Sequence, residues 1–145
     1  MSHNYVVDAS VGVKAFVVED DSDIAIHLFE QLTADPPAQL YVPNLFYIEC
    51  TNILWKYVRR FDYPTENARQ DVIDLRALAL ISVSTEDLIE SALDLALKYK
   101  ITAYDASYIA LADHLGLPLI TADTALIRQL AGSGIAVYEL GDIKI

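Results

Sequence analysis

The feature that most constrains the fold is an alternation of short apolar runs with longer helix-patterned stretches. Residues 5–7, 40–42, 80–83, 119–121 and 136–139 form brief runs rich in Val, Ile, Leu and Tyr. They are continuous rather than alternating, as expected of strands buried on both faces. Helical stretches lie between them. Residues 10–18 follow Asp8 or Ser10 as a cap, and 22–33 place Ile24, Leu28 and Leu32 four apart before Asp35-Pro36-Pro37 ends the run. Residues 45–60 follow Asn44 as a cap, and 64–78 begin on Pro64. Thr85, Glu86 and Asp87 open a helix to about Tyr99, 103–115 stops near Gly116 and Pro118, and 124–130 is a short last helix. Strands and helices in this order predict an α/β fold with a mostly parallel sheet of about five strands, covered on both faces. The whole chain, 1–145, reads as a single domain.

Composition narrows the class. Hydrophobic residues make up 54% of the chain and Gly and Pro are few, so a packed core is expected. No apolar run approaches the roughly 20 residues that span a bilayer, and no basic, signal-like start is present, so no membrane association and a cytoplasmic location are expected. The one cysteine, Cys50, cannot form an intrachain disulfide. His3, His27 and His114 are scattered without metal-ligand spacing, which argues against zinc. The net charge of −11 is the reverse of a typical nucleic-acid binder and points to a basic partner.

Against that background four acidic positions stand out. Asp8 and Asp123 follow apolar runs, where a strand ends and a helix begins, the edge at which parallel α/β sheets bind ligands. Glu49 and Asp105 lie in otherwise apolar helical stretches, where a carboxylate needs compensation. Each also has an ordinary structural explanation. Asp8 and Asp123 suit helix caps, Asp105 suits a first helical turn, and Glu49 suits a solvated face, although Leu45, Ile48 and Ile53 lie nearby. Taken together, four hard oxygen donors at one sheet edge suit Mg²⁺ or Mn²⁺. Ser10 and Thr121, each two residues from an acidic position, and Asn52, one turn beyond Glu49, are candidates to hydrogen-bond and orient the carboxylates. Lys14 is a candidate phosphate contact, with a solvated lysine as the ordinary alternative.

These residues carry a resemblance. Asp8-Ala9-Ser10-Val11 with Lys14, then Pro43 with Glu49 and Asn52, then Tyr104-Asp105-Ala106-Ser107-Tyr108-Ile109-Ala110-Leu111-Ala112, then Thr121-Ala122-Asp123 together resemble the PIN-domain proteins, in particular toxins of the VapC type. The likeness covers almost the whole chain, and its strength lies in the order of the motifs rather than in any one of them. It implies a three-layer α/β/α sandwich and an Mg²⁺- or Mn²⁺-dependent endoribonuclease. It further implies that Asp8, Glu49, Asp105 and Asp123 are the catalytic and metal-holding residues for one or two ions. The ions would activate water and stabilise the leaving oxygen, so no protein nucleophile is needed.

The resemblance also implies partners: an RNA substrate, a small antitoxin with a basic tail, and a second copy of the chain in a homodimer. Phe46, Tyr47, Trp55, Tyr57, Phe61 and Tyr63 suit a groove, a dimer seam or the core. Lys56, Arg59 and Arg60 suit either RNA phosphates or a helix C-terminus. Other readings are a housekeeping PIN-fold nuclease acting on RNA or DNA, and a non-catalytic binding module. A haloacid-dehalogenase-like phosphotransferase would need an acid where Ser10 stands, and a receiver domain would need paired acids.

Overall fold

The structure is a computed structural model and describes residues 4–144, so His3 lies outside the described residues. Five strands form one all-parallel sheet: β1 (Asn4–Val7), β2 (Gln39–Pro43), β3 (Ile81–Val83), β4 (Leu119–Thr121) and β5 (Val137–Glu139), in the order β3-β2-β1-β4-β5. Seven α-helices connect them and cover both faces: α1 (Ala9–Lys14), α2 (Ser22–Glu30), α3 (Leu45–Phe61), α4 (Thr65–Ala77), α5 (Ile89–Tyr99), α6 (Ala103–Leu115) and α7 (Thr124–Gln129). The expected α/β/α sandwich is therefore present. Val6, Val7, Leu40, Val42, Leu119 and Ile120 are completely buried, which explains why the central strands read as unbroken apolar runs.

The strand order reverses between β1 and β4. The chain steps from β1 to β2 and β3 on one side, then returns to place β4 on the other. Connections leave that point in opposite directions, which opens a crevice at the carboxyl ends of the two strands. Val7 pairs with Ile120 in the ladder, so Asp8 emerges beside Thr121, and the Asp8 N–H still reaches the Ile120 carbonyl at 3.4 Å.

Local details refine the expectations. The first helix ends at Lys14 rather than continuing to Val18. Ser22 takes the Glu19 N–H and donates to the Val17 carbonyl, and these bonds turn the chain before α2. The Asn44 side chain does not cap α3. Its Oδ1 accepts from the N–H and hydroxyl of Thr85, and the Thr85 hydroxyl takes the Leu45 N–H at 3.1 Å. A residue just beyond β3 thus fixes where the helix carrying Glu49 begins. Thr85–Leu88 is a 3₁₀ turn that precedes α5. Gly116 ends α6 at a φ of 65°, a conformation that favours glycine.

Helix α1 packs against α3 through Gly12. A Cβ there would stand 2.7 Å from Phe46 Cζ and 3.0 Å from Cys50 Sγ. Cys50 directly follows Glu49, so this close approach also sets how near Glu49 comes to the Asp8 turn. Gly12→Ala is expected to overpack the contact and lower stability by about 1–3 kcal/mol. Equilibrium urea unfolding checks this, and an unchanged midpoint would show that the helices separate freely.

Candidate active site

The site is built around Asp8, which is only 5% exposed. Its Oδ1 accepts from the Ser10 hydroxyl at 2.5 Å, the Ser10 N–H at 3.1 Å and the Val11 N–H at 3.3 Å. Its Oδ2 accepts from the Thr121 hydroxyl. Ser10 Oγ in turn takes the Ala122 N–H at 2.9 Å, and Thr121 Oγ1 takes the Asp123 N–H at 3.0 Å. Asp8 thus caps α1 and clasps the turn after β4. The capping role and the site role belong to the same carboxylate. Asp123 shows the same duality: its Oδ1 accepts from the N–H groups of Ala125 and Leu126 at the start of α7.

Glu49 and Asp105 reach this edge from two helices. Thr102 caps α6 by accepting the Asp105 N–H at 3.1 Å, which places Asp105 in the first turn. One turn later the buried Tyr108 donates to Glu49 Oε1 at 2.5 Å. Helix α6 therefore carries one acidic residue and positions another. Tyr108 lies in the 104–112 motif, where the sequence assigns it no role of its own. The signal available was a large hydroxyl-bearing ring among small apolar neighbours, since a buried Tyr normally finds a partner.

The electrostatics tie the group together. Burial pushes Asp8 up to about 6, opposed by the Ser10, Thr121 and Val11 bonds and raised slightly further by the charge of Asp105. Burial raises Glu49, the Tyr108 hydrogen bond opposes this, and the charge of Asp105 adds to the rise. Asp105 is raised by burial and then by Asp123. Asp105 is thus the electrostatic hub of the four. Among the described residues, no three Asp, Glu, His or Cys side chains are gathered tightly enough to form a ready-made metal cage. Like charges in a half-buried crevice resist closer approach without a cation. The donor set nonetheless fits a hard divalent ion: Asp8 Oδ2 accepts only one hydrogen bond, and Thr102 is the one side-chain donor that bears on the Asp105 carboxyl among the described residues, so both carboxylates keep lone pairs for a cation.

The chain matches the PIN domain over residues 5–132. It is 35% identical over 128 residues to Ribonuclease VapC3 of Pyrobaculum aerophilum, a match covering 87% of this chain and 91% of that protein. The chain belongs to the PIN-domain family. Its fold is likewise similar to a crystal structure of PAE2754 from Pyrobaculum aerophilum (TM-score 0.68, 22% identity, 97% of this chain and 93% of that one). It is also similar to a toxin–antitoxin complex from Klebsiella pneumoniae (TM-score 0.65, 21% identity, 96% of this chain and 99% of that one).

The remaining sequence candidates take varied places in this PIN fold. Ser10 and Thr121 make direct bonds to Asp8. Asn52 is exposed one turn beyond Glu49, whose carboxylate is held by Tyr108 instead. Lys14 donates to the Asp20 carbonyl at 2.9 Å and lies 3.7 Å from Glu19, so its ammonium is engaged with the loop after α1. The aromatic set divides. Phe46 is core, Tyr57 and Tyr63 donate to Glu19 and Asp71, and Trp55 and Phe61 face outward.

Two outcomes are expected. The folded-state pKa of Asp8 lies above its unfolded value, so its contribution favours the fold at low pH and is lost as pH rises from about 4 to about 6. The loss is on the order of 3 kcal/mol. Without divalent cations the protein should therefore be less stable at pH 7 than at pH 5, and Asp8→Asn should shrink that difference. Urea unfolding at the two pH values checks it, and an equal difference in both proteins would contradict it. Separately, Tyr108→Phe should cost about 1–3 kcal/mol, because a half-buried carboxylate loses its donor. The loss should vanish when Glu49 is already Gln, and a double-mutant cycle reads that coupling directly.

Proposed function

We propose that this protein is a metal-dependent endoribonuclease and the toxin of a type II toxin–antitoxin pair. The observation that carries the reading is the set formed by the buried Asp8 with the half-buried Glu49, Asp105 and Asp123 around the β1/β4 switch point. Its three shifted carboxylates are raised by burial and by neighbouring acidic charge. The kinship to Ribonuclease VapC3 supports RNA as the substrate. The four carboxylates would hold one or two Mg²⁺ or Mn²⁺ ions, which supply charge neutralisation and an activated water for attack on phosphorus. Ser10 and Thr121 hold Asp8 in place, and Tyr108 holds Glu49, so the donors are oriented by the fold rather than by the substrate. The thiol of Cys50 is buried and pushed upward by burial and by the charges of Asp8 and Glu49, which leaves it a packing group rather than a nucleophile.

The same acidity defines the partner. A small antitoxin with a basic tail can bridge two carboxylates through a guanidinium without their metal. The toxin–antitoxin assembly with a similar fold supports that kind of partner, and a homodimer is the expected assembly of this chain. Among the described residues no helix is long and apolar enough to cross a membrane.

Asp8→Asn should abolish RNA cleavage, beyond the roughly 10- to 100-fold effect of losing an outer metal partner. It should also weaken Mn²⁺ binding measured by calorimetry. Full cleavage by carefully purified Asp8→Asn protein would sink the mechanism. Expression alone should arrest growth, and co-expression with a small neighbour-encoded protein should relieve it. Harmless expression despite RNA cleavage in vitro would make the protein a housekeeping PIN nuclease.

A further inference from the structure

Glu49 belongs not only to the carboxylate set but also to the wall of a surface groove of about 770 Å³. Ile48, Asn52, Trp55 and Lys56 of α3 and Tyr104 of α6 are among the residues that share that wall. Two of these are large aromatics left open to solvent: Trp55 is 53% exposed and Tyr104 64%. Tyr104 immediately precedes Asp105, so the N-terminus of α6 presents a carboxylate and an aromatic ring side by side.

The charges around this groove run against those of the chain. In a protein of net charge −11, Lys56, Arg59 and Arg60 place three cations within five positions of α3. Among the described residues none has a carboxylate within ion-pair distance, whereas Lys14 and Arg69 are paired. Glu49, Asn52, Lys56 and Arg59 or Arg60 recur at three- and four-residue spacing, so they share one face of the helix. Lys56 lies roughly 10 Å along the axis from Glu49. The Arg59 guanidinium stands 5.4 Å from the centre of the Trp55 ring, which steadies the indole and adds positive charge beside it.

From this we infer that the groove holds the single-stranded RNA next to the scissile phosphate, with bases stacked on Trp55 and Tyr104 and a backbone phosphate on Lys56. The inference rests on the nuclease reading above. Aromatic faces with interleaved cations are what single-stranded nucleic acid requires, and stacking accepts any base. A basic peptide would meet Lys56, Arg59 and Arg60 as like charges, so this groove suits RNA better than a basic tail. Cations on the helix that bears Glu49 also explain how an acidic protein can take a polyanion: the attraction is local and adjacent to the carboxylates.

The test uses Asp8→Asn protein in Mg²⁺, a fluorescein-labelled ten-residue oligouridylate, and anisotropy. Trp55 is the only tryptophan, so quenching of its emission gives a second readout. Adding Trp55→Ala or Tyr104→Ala should weaken binding roughly 5- to 100-fold. Trp55→Phe and Tyr104→Phe, which keep a stacking face, should restore most of it. Lys56→Ala should lower the slope of log affinity against log salt by about 0.7. Absence of oligonucleotide binding, or unchanged affinity in both alanine variants, overturns the inference. So does a result in which they weaken only the antitoxin complex, which would assign the groove to protein. RNA cleavage by the wild-type protein in Mn²⁺ is scored separately: its absence overturns the nuclease reading, whichever way the binding measurements fall.

Discussion

A buried carboxylate that accepts hydrogen bonds on both oxygens is the point on which the rest of this structure turns. Asp8 sits where β1 ends, out of reach of bulk water, and an unpaired charge there would cost several kcal/mol. Ser10, Val11 and Thr121 offset part of that cost. Because Thr121 belongs to β4 and Ser10 also takes the Ala122 N–H, the network that satisfies Asp8 also ties together the two strand ends flanking the switch point. The crevice is therefore not a gap left by the topology but a hydrogen-bonded seam with a carboxylate at its centre. Strand pairing, the start of α1 and the turn into α7 all depend on the same few atoms.

Around that seam the fold gathers charge that would otherwise disperse. Helix α6 delivers Asp105 from its first turn and Tyr108 from its second, and Tyr108 reaches across to Glu49 on α3. Helix α3 is in turn registered by Thr85, just beyond β3, and pressed against α1 at Gly12. Three layers of contact thus converge on acidic groups that repel one another, with Asp105 felt by both Asp8 and Glu49. Such an arrangement stores unfavourable electrostatic energy, which a divalent cation or a guanidinium can release. Packing thus enforces an electrostatic conflict among the carboxylates, and the proposed metal ions would resolve it.

The distribution of opposite charge is equally uneven. The sequence shows ten Lys and Arg against twenty-one Asp and Glu, yet three of the ten cluster near the C-terminal end of α3. Their placement suits the negative end of the helix dipole, and it also puts positive charge and an indole on the helix that bears Glu49. One helix thus spans the passage from acidic crevice to basic surface. Net charge alone, a property of the whole chain, conceals that gradient.

Much of this was legible in the chain itself. Unbroken apolar runs such as Val6-Val7 and Leu119-Ile120 announce strands buried on both faces, and their alternation with helices dictates a parallel sheet. Asp8 and Asp123 were locatable because a strand end followed by a cap is a local pattern, read within a few residues. Where the sequence misled, the missing information was remote. Asn44 has the chemistry of a cap, but its side chain turns to Thr85, forty-one positions away. Tyr108 finds Glu49 across fifty-nine positions, and the reason Gly12 must be small lies in Phe46 and Cys50. Sequence determines which residues can hold charge, cap a helix or fill a core, because those are properties of the side chain and its near neighbours. Tertiary structure alone decides which carboxylates face one another and what holds them there, because that depends on distances set by packing between segments that periodicity cannot relate.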